Sequence, residues 1–506
     1  MDKLRESLHA LVVEAATDLP EDVRRALAQV RAAERPCSAV GLALGAIAVN
    51  VDMACQRCQP ICQDTGLPYF KVMLPPRVDP LAISQAIGDA VAEATREGKL
   101  RPNSVDSLSG RNSGDNLGPG TPIVHFETWL SDALDVRLLL KGGGCENQGA
   151  QYSLPCDLAS GARADRDLDG VRRCLLDAVH RAQGQGCSVG VLGAAIGGDR
   201  GSGYEAAKDQ LFRPLDDGNP DPRLAQLEQS IVEDANRLGI GTMGFGGAVT
   251  LMACKITALN RLPASFFVTA SYNCWALRRL GVVLDPTTGR IRRWLYRTPG
   301  RPTPVSGHVE LPGTGREVHI ETPLSEPVVR RLRVGDVVML SGLVHTGRDA
   351  LHRYLLDHAS PVDLKGGVIF HCGPVALKRD GGWIVTAAGP TTSMREETYQ
   401  AAVLRRCGAR AVLGKGGMGA ETLAALKECG AVYLNAIGGA AQLYADRIVA
   451  VEGVDLLELG IPEAMWHLRV KDFPAIVTMD AQGGSLHADV EAASAAALRR
   501  LQQVDA

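Results

Sequence analysis

The chain has 506 residues, a formal net charge of -3, 45% hydrophobic residues and 22% charged residues. This length exceeds what one hydrophobic core organises and predicts at least two domains. The nearly balanced charge gives no overall attraction to nucleic acid or to an anionic membrane, so we expect neither as a partner.

The N-terminal segment and the hydropathy predict a cytoplasmic protein. The first residues lack the apolar core of a signal peptide, and Glu14 and Asp18 make the segment too acidic for a transit peptide. The most apolar stretch, Ala39 to Val49, has 11 residues, short of the roughly 20 that a membrane span needs. The 13 cysteines of such a chain favour reduced thiols or metal ligands over disulfides.

Helical periodicity dominates the first half of the chain. Apolar residues from Ile83 to Ala94 recur at the spacing of an amphipathic helix, and the pattern predicts further helices near 4–15, 21–32, 168–183 and 222–238. Between them lie Gly-rich turns and an irregular polar stretch, 101–122, of a length that is more often functional than idle.

The first chemically informative turn is Cys62-Gln63-Asp64-Thr65-Gly66, which combines a thiol, an amide, a carboxylate and a hydroxyl. By itself it is equally compatible with a buried cysteine beside an Asp-Thr-Gly turn. Cys55 and Cys58 add a second alternative, because their spacing from Cys62 would suit a local zinc or cluster site. That site would need a fourth ligand, which the sequence does not identify.

A run of glycines follows the apolar segment Val136–Leu140 in Lys141-Gly142-Gly143-Gly144. Its backbone N–H groups could face an anion, although a flexible strand-to-helix connection is the common alternative. The glycines from Gly241 to Gly247 resemble a dinucleotide loop only superficially, since no apolar strand precedes them and no acidic residue follows at the right distance.

Two more cysteines, Cys187 and Cys274, lie at turns far from Cys62 and from each other. Three thiolates can hold a cubane iron–sulfur cluster and leave one iron without a protein ligand, free to act as a Lewis acid. A zinc-binding structural protein is the plain alternative, against which the wide separation of the three cysteines argues.

The composition changes near residue 285, where Pro and Gly become frequent. We predict a first domain over 1–285, a linker over 286–315 and a smaller C-terminal domain over 316–506. In the second half, strand-like runs alternate with helical stretches, which is typical of an α/β layer structure. The runs are Val337–Leu340, Val368–His371, Trp383–Val385, Ala411–Leu413 and Val432–Leu434.

Three of these strand ends present a cation: Arg348, Arg395 and Lys415, in Gly-rich turns. Because ligands gather at the carboxyl ends of strands in such sheets, the three favour a carboxylate or phosphate clamp over separate surface charges. Thr391 and Thr392 add hydroxyls, one of which is expected to cap the following helix.

Taken in chain order, these motifs resemble the class I fumarases, the iron–sulfur fumarate hydratases, and their tartrate dehydratase relatives. Some relatives divide the two halves between α and β subunits, so this chain resembles the fused form. The matching segments are Ile61–Gly66, Lys141–Gly144, Gly197–Gly198, Met243–Gly247, Tyr272–Trp275, Gly347–Asp349, Gly389–Thr392 and Gly414–Gly416.

The resemblance implies an α/β and α+β protein with a helix-rich, cluster-binding N-terminal domain and an active site at the domain interface. It implies a homodimeric hydro-lyase of the tricarboxylic acid cycle that interconverts fumarate and L-malate, with a small dicarboxylate as its ligand. A [4Fe-4S] cluster would be held by Cys62, Cys187 and Cys274. Asp64 and Thr391 would be catalytic, and the substrate would be bound by Gln63, Arg101, Gly144, Arg348, Thr392, Arg395 and Lys415.

Two positions depart from the family pattern. Leu262 stands where relatives often carry a histidine, which puts the exact diacid in doubt and keeps tartrate and mesaconate as alternatives. Cys145 stands where serine is common and is either an inert substitution or a redox-sensitive thiol. A non-catalytic iron–sulfur redox sensor is the alternative of another class, and the cations at Arg348, Arg395 and Lys415 argue against it.

Overall fold

The computed structural model describes residues 2–36, 38–297, 302–307 and 315–503. The predicted linker therefore lies in part, at 298–301 and 308–314, outside the described residues. The predicted linker is also not wholly irregular, because residues 291–295 form a strand that pairs with the strand before them in the chain.

The described helices confirm the helical predictions in the first half as α1, α2, α4, α6 and α8. Asp167 caps α6 by accepting a hydrogen bond of 2.7 Å from the Gly170 amide, as an N-cap aspartate does. The helices are α1 (Asp2–Thr17), α2 (Glu21–Ala33), α3 (Ala39–Arg57), α4 (Pro80–Arg96), α5 (Gly143–Glu146), α6 (Leu168–Ala182), α7 (Arg200–Gln210), α8 (Pro222–Arg237), α9 (Glu326–Val329), α10 (Asp349–Asp357), α11 (Glu397–Cys407), α12 (Ala420–Cys429), α13 (Ala441–Ala445) and α14 (Leu486–Gln503).

The strands outnumber those that periodicity predicted. They are β1 (Leu67–Leu74), β2 (Ile123–Thr128), β3 (Leu134–Lys141), β4 (Ala150–Ser153), β5 (Cys156–Asp157), β6 (Arg163–Ala164), β7 (Gly190–Ile196), β8 (Leu251–Ala258), β9 (Phe267–Asn273), β10 (Arg278–Leu284), β11 (Ile291–Leu295), β12 (Val318–Glu321), β13 (Val337–Thr346), β14 (Val368–Phe370), β15 (Val375–Arg379), β16 (Gly382–Ala387), β17 (Ala411–Gly414), β18 (Val432–Asn435), β19 (Ile448–Asp455) and β20 (Met465–Met479).

The described part of the first half contains three sheets that the sequence interpretation missed. One has the order β11-β10-β3-β1-β2, another has the order β4-β9-β7-β8, and the third pairs β5 with β6. Strands β7 and β10 are buried along their whole length, so they lack the alternation of apolar and polar residues that marks a half-exposed strand. The first half is thus a mixed structure rather than helices joined by Gly-rich turns.

The second half forms a sheet with the order β12-β13-β14-β17-β18-β20-β19. Strands β13, β14, β17 and β18 confirm four predicted strands and run parallel to one another. The long strand β20 pairs antiparallel with both β18 and β13, so the sheet closes on itself. The carboxyl ends of the parallel strands therefore meet at one edge.

The predicted strand Trp383–Val385 exists, but it does not belong to that sheet. It lies in β16, which pairs with β15 in a separate two-stranded hairpin. The turn is Asp380-Gly381, and both residues have positive φ angles of 48° and 79°. An Asp-Gly turn of this kind favours a local hairpin over a crossover to a parallel neighbour.

The apolar stretch beginning at Ala39 continues beyond Val49 as the 19-residue helix α3. Among the described helices, α3 alone is long and apolar enough, by length and composition, to cross a membrane, and 72% of its most apolar window is buried inside the protein. Buried core helices of globular proteins often have this length and composition, so neither property indicates a membrane span here.

Buried Asn50 on α3 ties the two halves of the chain together. Its Nδ2 donates to the carbonyl oxygens of Ile61, at 2.9 Å, and Gly439, at 3.1 Å. Its Oδ1 accepts from the amides of Gln442, at 2.7 Å, and Leu443, at 3.3 Å. One amide side chain therefore fixes the segment before Cys62 against the start of α13.

The last helix, α14, returns to the first half. Leu498 and Leu501 are buried in the same apolar cluster as residues of α6 and α8. Ser494 Oγ accepts a hydrogen bond of 3.0 Å from Gln183 Nε2. The C-terminal helix thus helps to cover the core of the first half, while the predicted domain boundaries stay a prediction.

Asn50→Ala is expected to lower the free energy of unfolding by about 3 kcal/mol, because it leaves buried backbone groups without partners. Urea unfolding followed by circular dichroism measures the change. Gln85→Ala, which removes an exposed hydrogen bond within α4, is the matched control and should change stability little. Equal stability of the two variants would contradict the role given to Asn50.

Candidate active site

One cavity of about 1300 Å³ gathers the predicted substrate and catalytic residues from both halves of the chain. Its lining includes Gln63, Asp64, Arg101, Gly144, Arg348, Thr391, Thr392, Arg395 and Lys415. These positions span more than 350 residues of sequence, and the fold brings all of them to one place.

The first-half side of the cavity is built from neighbouring strand ends. The Cys62 turn precedes β1, the glycine run follows β3, and β1 and β3 are antiparallel neighbours. A Cβ atom at Gly142 would lie 2.9 Å from Asp64 Oδ2, so glycine is needed for this close approach. The carboxylate of Asp64 therefore packs directly on the glycine run.

The second-half side lies at the carboxyl ends of β13, β14 and β17, as expected for a parallel sheet. Arg348 follows β13, and Lys415 follows β17. Although β16 lies off the sheet, the Thr391 amide donates to the His371 carbonyl at 2.6 Å, just beyond β14. Thr392 also forms a parallel bridge with Lys415, which places both threonines at the sheet edge.

Asp64 is the central anion of the cavity. Arg101 Nη2 lies 3.4 Å from Asp64 Oδ1, and the Arg278 guanidinium donates to the Asp64 carbonyl at 2.8 Å. Burial would raise the pKa of this carboxyl, but the charges of Arg101, Lys415 and other cations outweigh burial and lower it to about 2. Asp64 is therefore an ionised hydrogen-bond acceptor throughout the neutral range.

Lys415 links the cavity to the cysteines below it. Its Nζ, on a side chain that is 6% exposed, lies 2.9 Å from Cys187 Sγ. Burial alone would lower the pKa of Lys415, but the neighbouring Cys187, Cys62 and Asp64 raise it. The ammonium is thus held in place between a thiol and the central carboxylate.

Thr391 is held by a charged neighbour. Arg395 Nη2 donates to Thr391 Oγ1 at 2.8 Å. Across the cavity, the Arg348 guanidinium lies 3.2 Å from Glu463. Both arginines line the cavity, which suits an anionic ligand.

Cys62 and Cys187 are buried, and Cys274 is half-buried. Burial raises the pKa of the Cys62 and Cys187 thiols, with Lys415 opposing the change in part. A single metal ion needs at least three ligand atoms close together. Among the described His, Cys, Asp and Glu side chains, one group of three has its ligand atoms all within 4.8 Å of one another, and that group is His9, Glu93 and Glu97. The three thiols are therefore spread too widely for a single ion.

The local alternative around Cys62 is not formed. Cys58 is exposed, while Cys62 faces the buried charges of the cavity. Burial raises the pKa of Cys55 to about 11, and that thiol lies near Asp18 and Arg24 instead. Cys55, Cys58 and Cys62 therefore do not come together as a ligand group, and no described residue joins them to complete one.

The donors around the three cysteines fit a bulky acceptor. Among the described residues, Arg278 Nε and Nη1 and the Tyr272 hydroxyl are buried without a hydrogen-bond partner. The charge of Arg278 acts on Cys62 and Cys274, and Tyr272 lies among Cys187 and Cys274. Unpaired buried donors are costly unless a bound group accepts from them, and the sulfides of an iron–sulfur cluster are such acceptors.

Cys145 is a fourth thiol in this layer. It is buried, and its Sγ lies 4.0 Å from the Gly186 carbonyl oxygen. A hydrogen bond from Cys274, set against burial, lowers the pKa of Cys145 to about 7. The residue therefore lies beside a predicted ligand rather than on the cavity surface.

The sequence interpretation missed several residues of the site. Arg278 follows β9 and Cys274 without any motif of its own, and Gln185 lies in an unpatterned turn. Lys141 precedes the glycine run that was singled out, and its Nζ lies 2.5 Å from Glu146. Leu262, the departure that raised doubt about the diacid, is 72% exposed and does not line the cavity.

Comparison with known proteins identifies the same two halves. A family profile described as fumarate hydratase (fumerase) matches residues 5–283, and a second, described as fumarase C-terminus, matches residues 289–490. A Geobacillus stearothermophilus protein assigned to fumarate hydratase class I is 57% identical over 99% of both chains.

Two further relatives cover one half each. The L(+)-tartrate dehydratase subunit beta of Escherichia coli K12 is 39% identical over 34% of this chain and 86% of its own length. A Methanocaldococcus jannaschii protein assigned as L(+)-tartrate dehydratase subunit alpha is 32% identical over 55% of this chain and 96% of its own length. The chain therefore unites segments that are separate subunits in these relatives.

Gly438→Ala tests the contact between Lys415 and Cys187. The added Cβ would lie 2.5 Å from Cys187 Sγ and 2.9 Å from Lys415 Cδ, so it must push the two apart. We expect about tenfold weaker iron retention after anaerobic reconstitution, measured as iron per chain.

Gly218→Ala is the matched control, because a Cβ there meets no atom within 4 Å. Wild-type iron content is expected in this variant. Equal iron content in Gly438→Ala would show that the Lys415–Cys187 contact does not shape the site.

Proposed function

The chain belongs to the class I fumarate hydratase family, as the fused form, and is therefore a hydro-lyase. From this we propose that it interconverts L-malate and fumarate. The observation that carries this is the shared cavity, which is lined by a buried ammonium, three guanidinium groups and an ionised carboxylate, with the ammonium 2.9 Å from the Cys187 thiol. That donor set suits a small dicarboxylate next to a metal centre.

The cavity offers separate partners for the two carboxylates of such a substrate. Lys415 lies next to the Cys187 thiol and Arg101 lies next to Asp64, whereas Arg395 lies next to Thr391 and Arg348 next to Glu463. Held guanidinium groups bind carboxylates with defined geometry, and an anion in a buried site gains more from them than it would in water. We infer that these cations bind the substrate and neutralise charge that develops as water leaves.

Cys62, Cys187 and Cys274 would hold a [4Fe-4S] cluster, which the unpaired donors around them support. When bound, such a cluster supplies a Lewis acid that polarises the substrate hydroxyl and eases its departure. The proposal of a cluster rests on the family relationship and on the chemistry of the donors around the thiols. Whether the protein binds a cluster is the first question for experiment.

Asp64 is the proposed group for the proton on the substrate oxygen: in hydration its carboxylate accepts one proton from the attacking water, and in dehydration that proton returns to the leaving hydroxide, which departs as water. Its lowered pKa keeps it ionised, and the adjacent glycine run leaves the carboxylate open to the cavity. Thr391 is the proposed base for the proton on the neighbouring carbon. A neutral threonine is a weak base, but the Arg395 guanidinium at 2.8 Å favours its ionised form.

Tartrate is the second candidate substrate, because relatives of both halves are named for L(+)-tartrate dehydratase. Rates of water loss from L-malate and from tartrate, measured on one anaerobic preparation, decide between them. A higher kcat/KM for tartrate would overturn the proposal of malate while leaving the reaction class in place.

We also propose where the active site lies relative to the two predicted domains. The cavity lies between segments before and after the predicted linker, which supports an active site at the interface of the two predicted domains. The homodimeric state, the cytoplasmic location and the place in the tricarboxylic acid cycle stay predictions.

Replacing Cys62, Cys187 or Cys274 by serine is expected to abolish both the iron–sulfur absorbance and malate dehydration, because each supplies one thiolate. Visible spectra and fumarate formation measure the two effects. Cys429→Ser, at the partly exposed end of α12, is the control and should retain both. Full activity in any of the first three variants would remove that residue from the ligand set.

Lys415→Ala is expected to lower kcat/KM for malate by at least about 100-fold, since it removes a buried charge that meets the substrate. Steady-state kinetics on protein of equal iron content measure the loss. Lys378→Ala, an exposed lysine on β15, is the control. A nearly normal rate in Lys415→Ala would exclude this lysine from the site.

A further inference from the structure

Glu396 is a buried carboxyl group for which the proposed chemistry gives no role. It ends the turn before α11 and is 0% exposed. Among the described residues, no side chain hydrogen-bonds to either of its carboxyl oxygens. An ionised carboxylate in this position would be severely undersolvated, whereas a protonated carboxyl costs far less.

Its position connects it to the substrate cations. Glu396 Oε1 lies 4.0 Å from Arg395 Nη2, and the same nitrogen donates to Thr391 Oγ1 at 2.8 Å. Asp349 Oδ2 lies 3.6 Å from that nitrogen on the exposed side. One guanidinium is therefore shared between the predicted base, an exposed carboxylate and a buried carboxyl group.

We propose that Glu396 is a positioning residue whose protonation keeps the Arg395 guanidinium on Thr391 and on the substrate. Once Glu396 loses its proton, the new negative charge draws Arg395 back and reduces the positive charge of the cavity by one. This inference rests on the proposed dicarboxylate site and adds to it a control by pH.

The surroundings of Glu396 support a change near neutral pH. Burial raises the pKa of Glu396 to about 8, Asp349 adds to the rise, and Arg395 and Arg348 oppose it. Below about pH 8 the group is therefore protonated and the cavity keeps its full positive charge; above that pH the charge falls. The charged and titratable groups that face Glu396 are Arg348 and Asp349 at the start of α10, Arg395 beside it and Tyr433 on β18.

Two buried histidines, His352 on α10 and His371 after β14, meet Gln400 on α11 and do not compete for this role. His352 and His371 both contact Gln400 Oε1, at 3.0 Å and 2.8 Å. Burial lowers the pKa of each imidazole, so both are neutral where Glu396 titrates. A change in binding near pH 8 therefore points to Glu396 rather than to these imidazoles.

The test uses succinate, a dicarboxylate with no hydroxyl to lose, bound to the anaerobically reconstituted protein in a calorimeter. For wild type, the dissociation constant should rise about tenfold between pH 7 and pH 9, because only the protonated fraction binds well. Glu396→Gln, which is uncharged at every pH, should lose this rise. Asp349→Asn removes the exposed carboxylate beside the same guanidinium and should keep it.

Infrared difference spectra between pH 7 and pH 9 provide a measurement that needs no ligand. Wild type should lose the C=O band of one protonated carboxyl group, and Glu396→Gln should not. A wild-type affinity that stays constant to pH 9, or the same rise in Glu396→Gln, would overturn the inference. Absence of succinate binding at every pH would overturn the dicarboxylate site itself, while the infrared band would still report the proton on Glu396.

Discussion

The site depends on the burial of one ammonium group among thiols. Lys415 cannot lie 2.9 Å from Cys187 inside the protein without anions nearby, and Asp64 supplies the fixed one. Asp64 in turn stays ionised only because cations from both halves of the chain surround it. The charges are therefore mutually dependent, and a dianionic substrate and a cluster with thiolate ligands would complete the balance.

This dependence requires the two halves of the chain to meet with little freedom. Gln63, from the first half, donates to the Pro390 carbonyl of the second half at 3.1 Å, within the loop that carries the threonines. Asn50 fixes the segment before Cys62 to α13, and α14 covers the core of the first half. A fused chain keeps these contacts in one molecule, whereas relatives that consist of α and β subunits must form them by association.

The sequence predicted which residues meet in the cavity better than it predicted the architecture around them. Short segments such as Cys62–Gly66 and the turn at Lys415 combine reactive side chains with glycine, so their function is visible locally. The fully buried strands β7 and β10 carry no alternation, and the Asp-Gly turn that places β16 in a hairpin depends on two residues alone.

Arg278 and Glu396 were beyond prediction for a different reason. Their roles follow from missing hydrogen-bond partners, which only the packed structure reveals. One of two adjacent arginines at the start of a strand and one of two adjacent glutamates at the start of a helix have no distinguishing pattern in sequence. The most direct test of the whole account is a Mössbauer spectrum of protein reconstituted anaerobically with ⁵⁷Fe, recorded with and without L-malate. The account predicts that one iron of four changes its signal on addition of malate, and an unchanged cluster during turnover, or no cluster at all, would contradict it.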